Sequence, residues 1–295
     1  MGLKLNTPTP LEKNSFRGIN FLLKRDDLIH KELSGNKARK AKYFLDNPPK
    51  NINSITSYGS IQSNAMFSLS YLAKELGLKF YYYANHIPSL LKDNPHGNLE
   101  LALKNGMILK EGYANIKKDS STLYIKEGVA VPEAYYGLRE LALELIEQLG
   151  TTKKYQIFLS SGTGATALFL TKALKELKAS NLKVFTTPCV GKKEYLLKQF
   201  KELEENSSFY PTIIDTKKRY HFGKLYREFY QIWLELQNES KVEFELLYDP
   251  KGWISILENR EKFSNLVYIH QGGIIGNESM LQRYRYKYGE LNENN

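Results

Sequence analysis

Short apolar runs alternate along this chain with stretches of helical period, and polar or glycine-rich turns separate them. Ile19 to Lys24 reads as a strand, and Ala38 to Leu45 as a helix stopped by Pro48-Pro49. Ile52 to Tyr58 reads as a strand ending at Gly59-Ser60. Beyond the polar turn Ile61-Gln62-Ser63-Asn64, residues Ala65, Leu69, Leu72, Ala73 and Leu76 recur at helical spacing, and Gly77 suits a C-terminal cap. Leu78 to Ala84 is a tyrosine-rich strand, which completes a βαβ unit. A weaker helix over Leu99 to Lys104 and a strand at Met107 to Leu109 follow. The strongest amphipathic pattern is Leu138, Leu141, Ala142, Leu145, Ile146 and Leu149, closed by Gly150.

Tyr155 to Leu159 has the continuous apolar character of a buried strand. It enters Ser160-Ser161-Gly162-Thr163-Gly164-Ala165-Thr166 and a helix over Ala167 to Leu177. The spacing then predicts a strand over Leu182 to Thr187 and helices over Lys192 to Leu203 and Lys224 to Leu236. Val242 to Tyr248 reads as a strand ended by Asp249-Pro250, with a helix from Trp253. Leu266 to His270 is a strand entering Gln271-Gly272-Gly273, and a last helix starts at Asn277. Thr7 to Leu11 reads as an extended arm, because each proline biases its predecessor away from helix, and Val129 to Glu133 as a crossing between domains. Repeated βα alternation predicts an α/β protein with mostly parallel sheets covered by helices.

Three stretches add chemistry to this frame. Lys24-Arg25-Asp26-Asp27 leads into Leu33-Ser34-Gly35-Asn36-Lys37-Ala38-Arg39-Lys40. Gly35 suits a turn, Asn36 suits a helix N-cap, and Lys37 then falls in the first helical turn. The helix dipole and the cations Arg39 and Lys40 are expected to favour the neutral amine, the form that attacks carbonyls. A solvated, lysine-rich helix start is the plain alternative. Asp26 and Asp27 are expected to fix this loop. Ser63 and Asn64 sit at a predicted helix N-terminus, as simple caps or as an anion site. Gly162-Thr163-Gly164 between strand and helix has the mechanics of a phosphate cradle, equally those of an ordinary βα turn. It lacks the Lys-Ser/Thr of a Walker A loop and the third glycine of the dinucleotide fingerprint.

Composition narrows the function classes. The net charge of +10 over 295 residues could attract nucleic acid, but the lysines form no long block and no nucleic-acid-binding signature is present. No apolar run approaches the roughly 18 to 20 residues that span a bilayer. Met1 to Asn6 lacks the apolar core of a signal peptide, and Cys189 is the only cysteine, so a reducing cytoplasm is the expected location. His30, His86, His96 and His221 show no metal-ligand spacing, so no metal is assigned. His270 and Cys189 read as structural, and Asn292 to Asn295 as a frayed tail.

With these stretches in hand, the chain resembles the 1-aminocyclopropane-1-carboxylate deaminase / D-cysteine desulfhydrase family from about Thr7 to Gly289. Lys24-Arg25-Asp26-Asp27 with Gly35 to Lys40, and Gln62-Ser63-Asn64, carry most of the likeness. Gly162-Thr163-Gly164 and His270-Gln271-Gly272-Gly273 carry the rest. The resemblance implies a two-domain, three-layer, tryptophan-synthase-β-like fold (PLP fold type II). Residues 1–47 and 133–295 would form the large domain and 48–132 a small inserted one. It implies pyridoxal 5'-phosphate held by Lys37 through an imine, with Asn64 on its phenolic oxygen; Gln271, read as cofactor-binding, departs from the pattern, standing where many desulfhydrases place a Thr near the pyridine nitrogen. Gly162, Thr163, Gly164, Ala165 and Thr166 would hold its phosphate. Ser63, with Gln62 and Asn64, would bind the substrate, Ser63 holding the carboxylate. A homodimer acting on a free amino acid is also implied.

Departures bear on the reaction. Family members commonly carry a Tyr, then Thr or Glu, just after an Asp-Pro pair, and that pair serves ring opening in the cyclopropane deaminases. Here Lys251-Gly252-Trp253 follows Asp249-Pro250. The Pro-Glu-Gly-Gly type loop is altered to Val131-Pro132-Glu133-Ala134-Tyr135-Tyr136. The first departure argues against ring opening and leaves the acid of an elimination open, with Tyr220 and Tyr226 as candidate phenols that also read as packing residues. The expected reaction is α,β-elimination on a D-amino acid, D-cysteine first, giving pyruvate, ammonia and sulfide. Cyclopropane deamination to 2-oxobutanoate is the alternative, and a non-catalytic basic binding protein a more remote one.

Overall fold

The computed structural model describes residues 3–33, 35–116 and 119–289; Ser34 of the Leu33 to Lys40 stretch and the tail Asn292 to Asn295 lie outside the described residues. In chain order it contains β1 (Leu11–Phe16), β2 (Ile19–Lys24), α1 (Asn36–Asp46), β3 (Ser54–Tyr58), α2 (Asn64–Glu75), β4 (Lys79–Ala84), α3 (Ser89–Asp93), α4 (Gly97–Lys104), β5 (Met107–Glu111) and β6 (Thr122–Tyr124). Then follow α5 (Ala134–Leu149), β7 (Tyr155–Ser161), α6 (Ala165–Glu176), β8 (Leu182–Pro188), α7 (Lys193–Leu203), β9 (Thr212–Ile213), α8 (Arg227–Ser240), α9 (Asp249–Glu258), β10 (Leu266–Ile269) and α10 (Gly276–Tyr288).

The strands form two sheets. One has the order β1-β2-β10-β7-β8-β9, with β1 antiparallel to β2 and every other pairing parallel. The other, β5-β4-β3-β6, is parallel throughout. The apolar stripe read at Leu138 to Leu149 lies buried with Leu168 and Leu170 of α6 and Ile157 of β7. A second cluster around Trp253, Phe158 and Tyr268 covers the opposite face. A third joins Ala38, Ala41 and Phe44 of α1 to Ile55, Leu69 and Phe80 under the smaller sheet. Parallel strands buried on both faces are what their unbroken apolar runs require.

Two predicted features fail on tertiary grounds. Val242 to Tyr248 is not a strand. Its alternation is real, but Phe244 and Leu246 plug into the core cluster, and their backbone is held by side chains. Trp233 Nε1 donates to Phe244 O at 2.7 Å, and Asn277 bonds Leu246 N and Phe244 O, each at 2.8 Å. Asp249-Pro250 then opens α9 instead of closing a strand, with proline in the first helical turn, where a missing N–H costs nothing. At the N-terminus the arm ends in a strand, β1, that the prolines obscured.

The solvated reading of the lysine-rich helix start is also excluded. Arg39 and Lys40 are buried. Arg39 forms an ion pair with Asp26 at 2.8 Å and with Glu144 at 2.5 Å, while Lys24 Nζ reaches Glu144 at 2.8 Å. Asp26 thus fixes α1 through Arg39, and also accepts from Thr9 Oγ1 at 2.7 Å. Burial would raise the Glu144 carboxyl, but Arg39 and Lys24 outweigh it and hold it below the usual range. A carboxyl depressed in the folded state contributes stability above the ordinary glutamate range, and loses it as pH falls through the lower folded value. Glu144→Gln is expected to cost about 3–5 kcal/mol at neutral pH, because Lys24 keeps a buried charge with no carboxylate. Denaturant titrations of both proteins check this: the gap should narrow on acidification, and a pH-independent gap would contradict it.

Candidate active site

The loops leaving β3, β7 and β10 at their carboxyl ends converge on one cavity of about 370 Å³, the place where open parallel sheets present ligand sites. Lys37, Ser63, Gly162 and Gln271 all line it.

Lys37 reaches the cavity because of the turn before it. Gly35 takes φ +56°, and a Cβ there would lie 1.6 Å from the Gln271 carbonyl oxygen, so only glycine allows this approach. The expected Asn36 cap is not formed: Gly35 occupies the N-cap position. Asn36 instead donates its Nδ2 to Gln271 Oε1 at 2.8 Å and to Thr166 Oγ1 at 3.1 Å, and accepts from Lys37 Nζ at 2.9 Å. One amide therefore ties the lysine to both other loops. Burial lowers the Lys37 amine to about 8, partly offset by the Glu245 carboxylate. The helix dipole and the cations Arg39 and Lys40 are the causes expected from the sequence; the dominant one is desolvation. Lys40 is also held well below its usual value by burial and then by Lys37, and its Nζ donates to Gly128 O.

The other predicted residues divide into those the structure gathers and those it holds for packing. Ser63 caps α2 by accepting from Ala65 N at 3.1 Å, so the simple cap reading holds while the residue also lines the cavity. Asn64 Oδ1 accepts from Asn98 Nδ2 at 2.7 Å. Gln62 Nε2 donates to His96 O at 3.3 Å. Gln271 Nε2 donates to Ser160 O at 2.7 Å. Gly162, Thr163, Gly164 and Thr166 line the cavity, and Ala165 is buried behind them at the start of α6. His270 donates to or accepts from fixed backbone partners, Glu243 O at 2.7 Å and Gly272 N at 3.1 Å, as a structural residue does.

Sequence reasoning missed residues whose segments pointed elsewhere. Tyr220 and Tyr226 do not line the cavity; Tyr220 OH is bonded to Glu228 at 2.9 Å and Tyr226 OH to His221 N at 3.0 Å. Tyr248, on the other side of Asp249-Pro250 from the expected phenol, does line it. Burial pushes its phenol up, so it keeps its proton. Glu245 lines it too. Burial and then Asp249 raise this carboxyl to about 8, against the pull of Tyr248 N, Leu247 N and Lys37. The altered loop at Val131 to Tyr136 is not among the lining residues; Glu127 and Gly128 take that place. Misreading Val242 to Tyr248 as a strand hid Glu245 and Tyr248. The one available signal was that Glu245 and Tyr248 are polar side chains in a run whose Phe244 and Leu246 enter the core.

The cavity fits a phosphate-bearing aldehyde cofactor. Gly164 caps α6 at φ +80°, and a Cβ there would come within 2.4 Å of Leu196. A Cβ at Gly162 would meet Tyr248 OH at 3.3 Å. This leaves backbone N–H groups and the Thr166 hydroxyl at a helix N-terminus, which suits a phosphate. Among the described residues, no group of three or more His, Cys, Asp or Glu could hold a metal ion, and no helix is long and apolar enough to cross a membrane.

Comparison with known proteins agrees with this geometry. No family model matches. A Thermotoga maritima protein that carries the provisional description 1-aminocyclopropane-1-carboxylate deaminase is 25% identical, over 91% of this chain and 95% of its own. The mitochondrial bifunctional D-cysteine desulfhydrase/1-aminocyclopropane-1-carboxylate deaminase of Arabidopsis thaliana is 27% identical, over 54% of this chain and 47% of its own. Among solved structures, an ACC deaminase homologue superposes with a TM-score of 0.74 at 21% identity, covering 93% of each chain. A hydrogen sulfide-producing enzyme of Fusobacterium nucleatum gives a TM-score of 0.64 at 16% identity, over 90% of this chain and 95% of that one. Along most of its length this chain is similar in sequence to a protein described as a 1-aminocyclopropane-1-carboxylate deaminase, and it shares the fold of the solved ACC deaminase homologue and of threonine deaminase, that of PLP fold type II.

Proposed function

We propose that the protein catalyses α,β-elimination on a D-amino acid, with D-cysteine the first candidate. The observation that carries this reading is a lysine amine lowered to about 8, in one cavity with a glycine-rich helix N-terminus and the Ser63–Asn64 turn. Pyridoxal phosphate, when bound, supplies the electron sink for charge developing at Cα. Lys37 would hold the cofactor through its amine, and the same amine, lowered to about 8 by burial, is the base for the substrate's α-proton. Gly162 to Gly164 and Thr166 would hold the phosphate, with Lys40 fixing the neighbouring turn through its bond to the Gly128 carbonyl. Asn64 and Gln271 hold the ring polar atoms. Ser63, flanked by Gln62 and Asn64, orients the substrate carboxylate so that the α C–H points at Lys37. Tyr248 is the proton donor to the leaving thiolate. In this reading residues 1–47 and 133–295 carry the cofactor, and 48–132 form the smaller unit that brings Ser63 to the substrate.

Cyclopropane ring opening is the second reading, and Tyr248 favours it, because the phenol that the sequence placed as missing stands in the cavity. Turnover of a panel of D- and L-amino acids and the cyclopropane substrate separates the two. Pyruvate and sulfide from D-cysteine support elimination; 2-oxobutanoate from the cyclic amino acid, without pyruvate from D-cysteine, overturns it. The same reading includes a cytoplasmic homodimer, as the resemblance implies; a monomer mass in sedimentation would contradict the dimer.

A further inference from the structure

Three carboxyl groups line the cavity without a role in the reaction above: Glu245, held by Leu247 N and Tyr248 N, Asp249, held by Tyr268 OH, and Glu127. Glu127 sits on a single 3-10 turn, Glu127–Val129, and lines the cavity. Its turn is clamped: a Cβ on Gly128 would lie 2.9 Å from Thr163, and Lys40 bonds the Gly128 carbonyl. Lys126 beside it pairs with Glu202 instead. Its hydrogen-bond donor is the Ser60 backbone N–H, and among the described residues no cation pairs with it.

The neighbours of this carboxylate are phenols. A Cβ on Gly59 would lie 2.7 Å from both Glu127 Oε1 and Tyr82 OH, which places the two groups side by side. Tyr195 and Tyr248 line the same cavity. Tyr82 OH in turn bonds Ser60 O at 3.0 Å, so this corner adjoins the turn that carries Ser63. A half-buried carboxylate bears a desolvation cost that an incoming cation offsets, and aromatic rings beside it add attraction for an ammonium. An anionic side chain would be repelled there, and a neutral thiol would gain nothing.

We propose that Glu127 selects an amino-acid substrate whose side chain carries an ammonium, 2,3-diaminopropionate being the smallest with a β leaving group. This deepens the elimination reading and rests on it, and within that reaction it places the diamine ahead of D-cysteine. Lys37 takes the α-proton, the Cβ–N bond breaks, and the amine leaves with its bonding pair as ammonia. Hydrolysis of the released three-carbon product adds one water, so one substrate gives pyruvate and two ammonia.

The test uses cofactor-loaded protein and its Glu127→Gln and Glu127→Asp variants, with both enantiomers of 2,3-diaminopropionate and of cysteine. Wild type should favour the diamine in kcat/KM. The ratio should fall about 10- to 100-fold in Glu127→Gln, chiefly through KM, and recover in part in Glu127→Asp. Binding of the unreactive 2,4-diaminobutyrate, followed by the visible spectrum of wild type, should be about 10-fold or more tighter than that of homoserine. That arm needs no folded variant. An unchanged ratio, or equal binding of the two analogues, overturns the inference while leaving elimination standing. A loaded protein that turns over none of these compounds defeats the elimination reading and this one with it.

Discussion

Lys37→Ala is expected to lower turnover by more than about 10³-fold, since one amine serves both as the covalent anchor and as the base. It should also abolish the visible absorbance of the loaded protein. The variant should fold, because α1 is fixed by Arg39 and by the apolar contacts of Ala38 and Ala41, none of which involves the lysine amine. Thermal unfolding separates loss of chemistry from loss of fold. In apo wild type, covalent capture of the cofactor aldehyde should accelerate as pH rises and level off above about 8, where the amine is free. A variant that keeps near-normal turnover would remove Lys37 from the chemistry.

Tyr248→Phe is expected to lower kcat by about 10² to 10⁴, with KM little changed, if the phenol delivers a proton in the rate-determining step. Burial keeps that phenol protonated across the neutral range, as an acid requires. A packing role would read differently. The ring lies 5.4 Å from that of Phe222, and phenylalanine preserves this contact. A purely structural tyrosine would therefore leave kcat within a few-fold and register, if at all, in thermal stability. Normal kcat on both D-cysteine and the cyclic amino acid would sink the assignment.

The parts of the molecule legible in the sequence were those where a local rule and the tertiary context agree. The period of Leu138 to Leu149, the buried run at Tyr155 to Leu159 and the strand at Leu266 to Ile269 each bury the face their spacing predicts. The cavity walls at Lys37, Ser63 and Gly162 were legible for a related reason, since each follows a strand or opens a helix, and those junctions have strong residue preferences. Glu245 and Tyr248 were not, because an alternating run imitates a strand whenever half of its side chains enter a core, whatever its backbone does. Glu127 was hidden by Gly128 and Val129, both at positive φ, on a turn with no repeating pattern. The cause of the Lys37 shift was misjudged because burial cannot be read from neighbours in sequence, whereas charge can.

The central claim is a covalent bond between the amine at position 37 and an aldehyde whose phosphate sits on the turn from Gly162 to Thr166. Loading the apo protein with pyridoxal phosphate, reducing the bond with borohydride and mapping peptides tests it directly. A single label on Lys37, reduced in Gly164→Ala, is the predicted result; a label on another lysine, Lys40 included, or none at all would contradict the account.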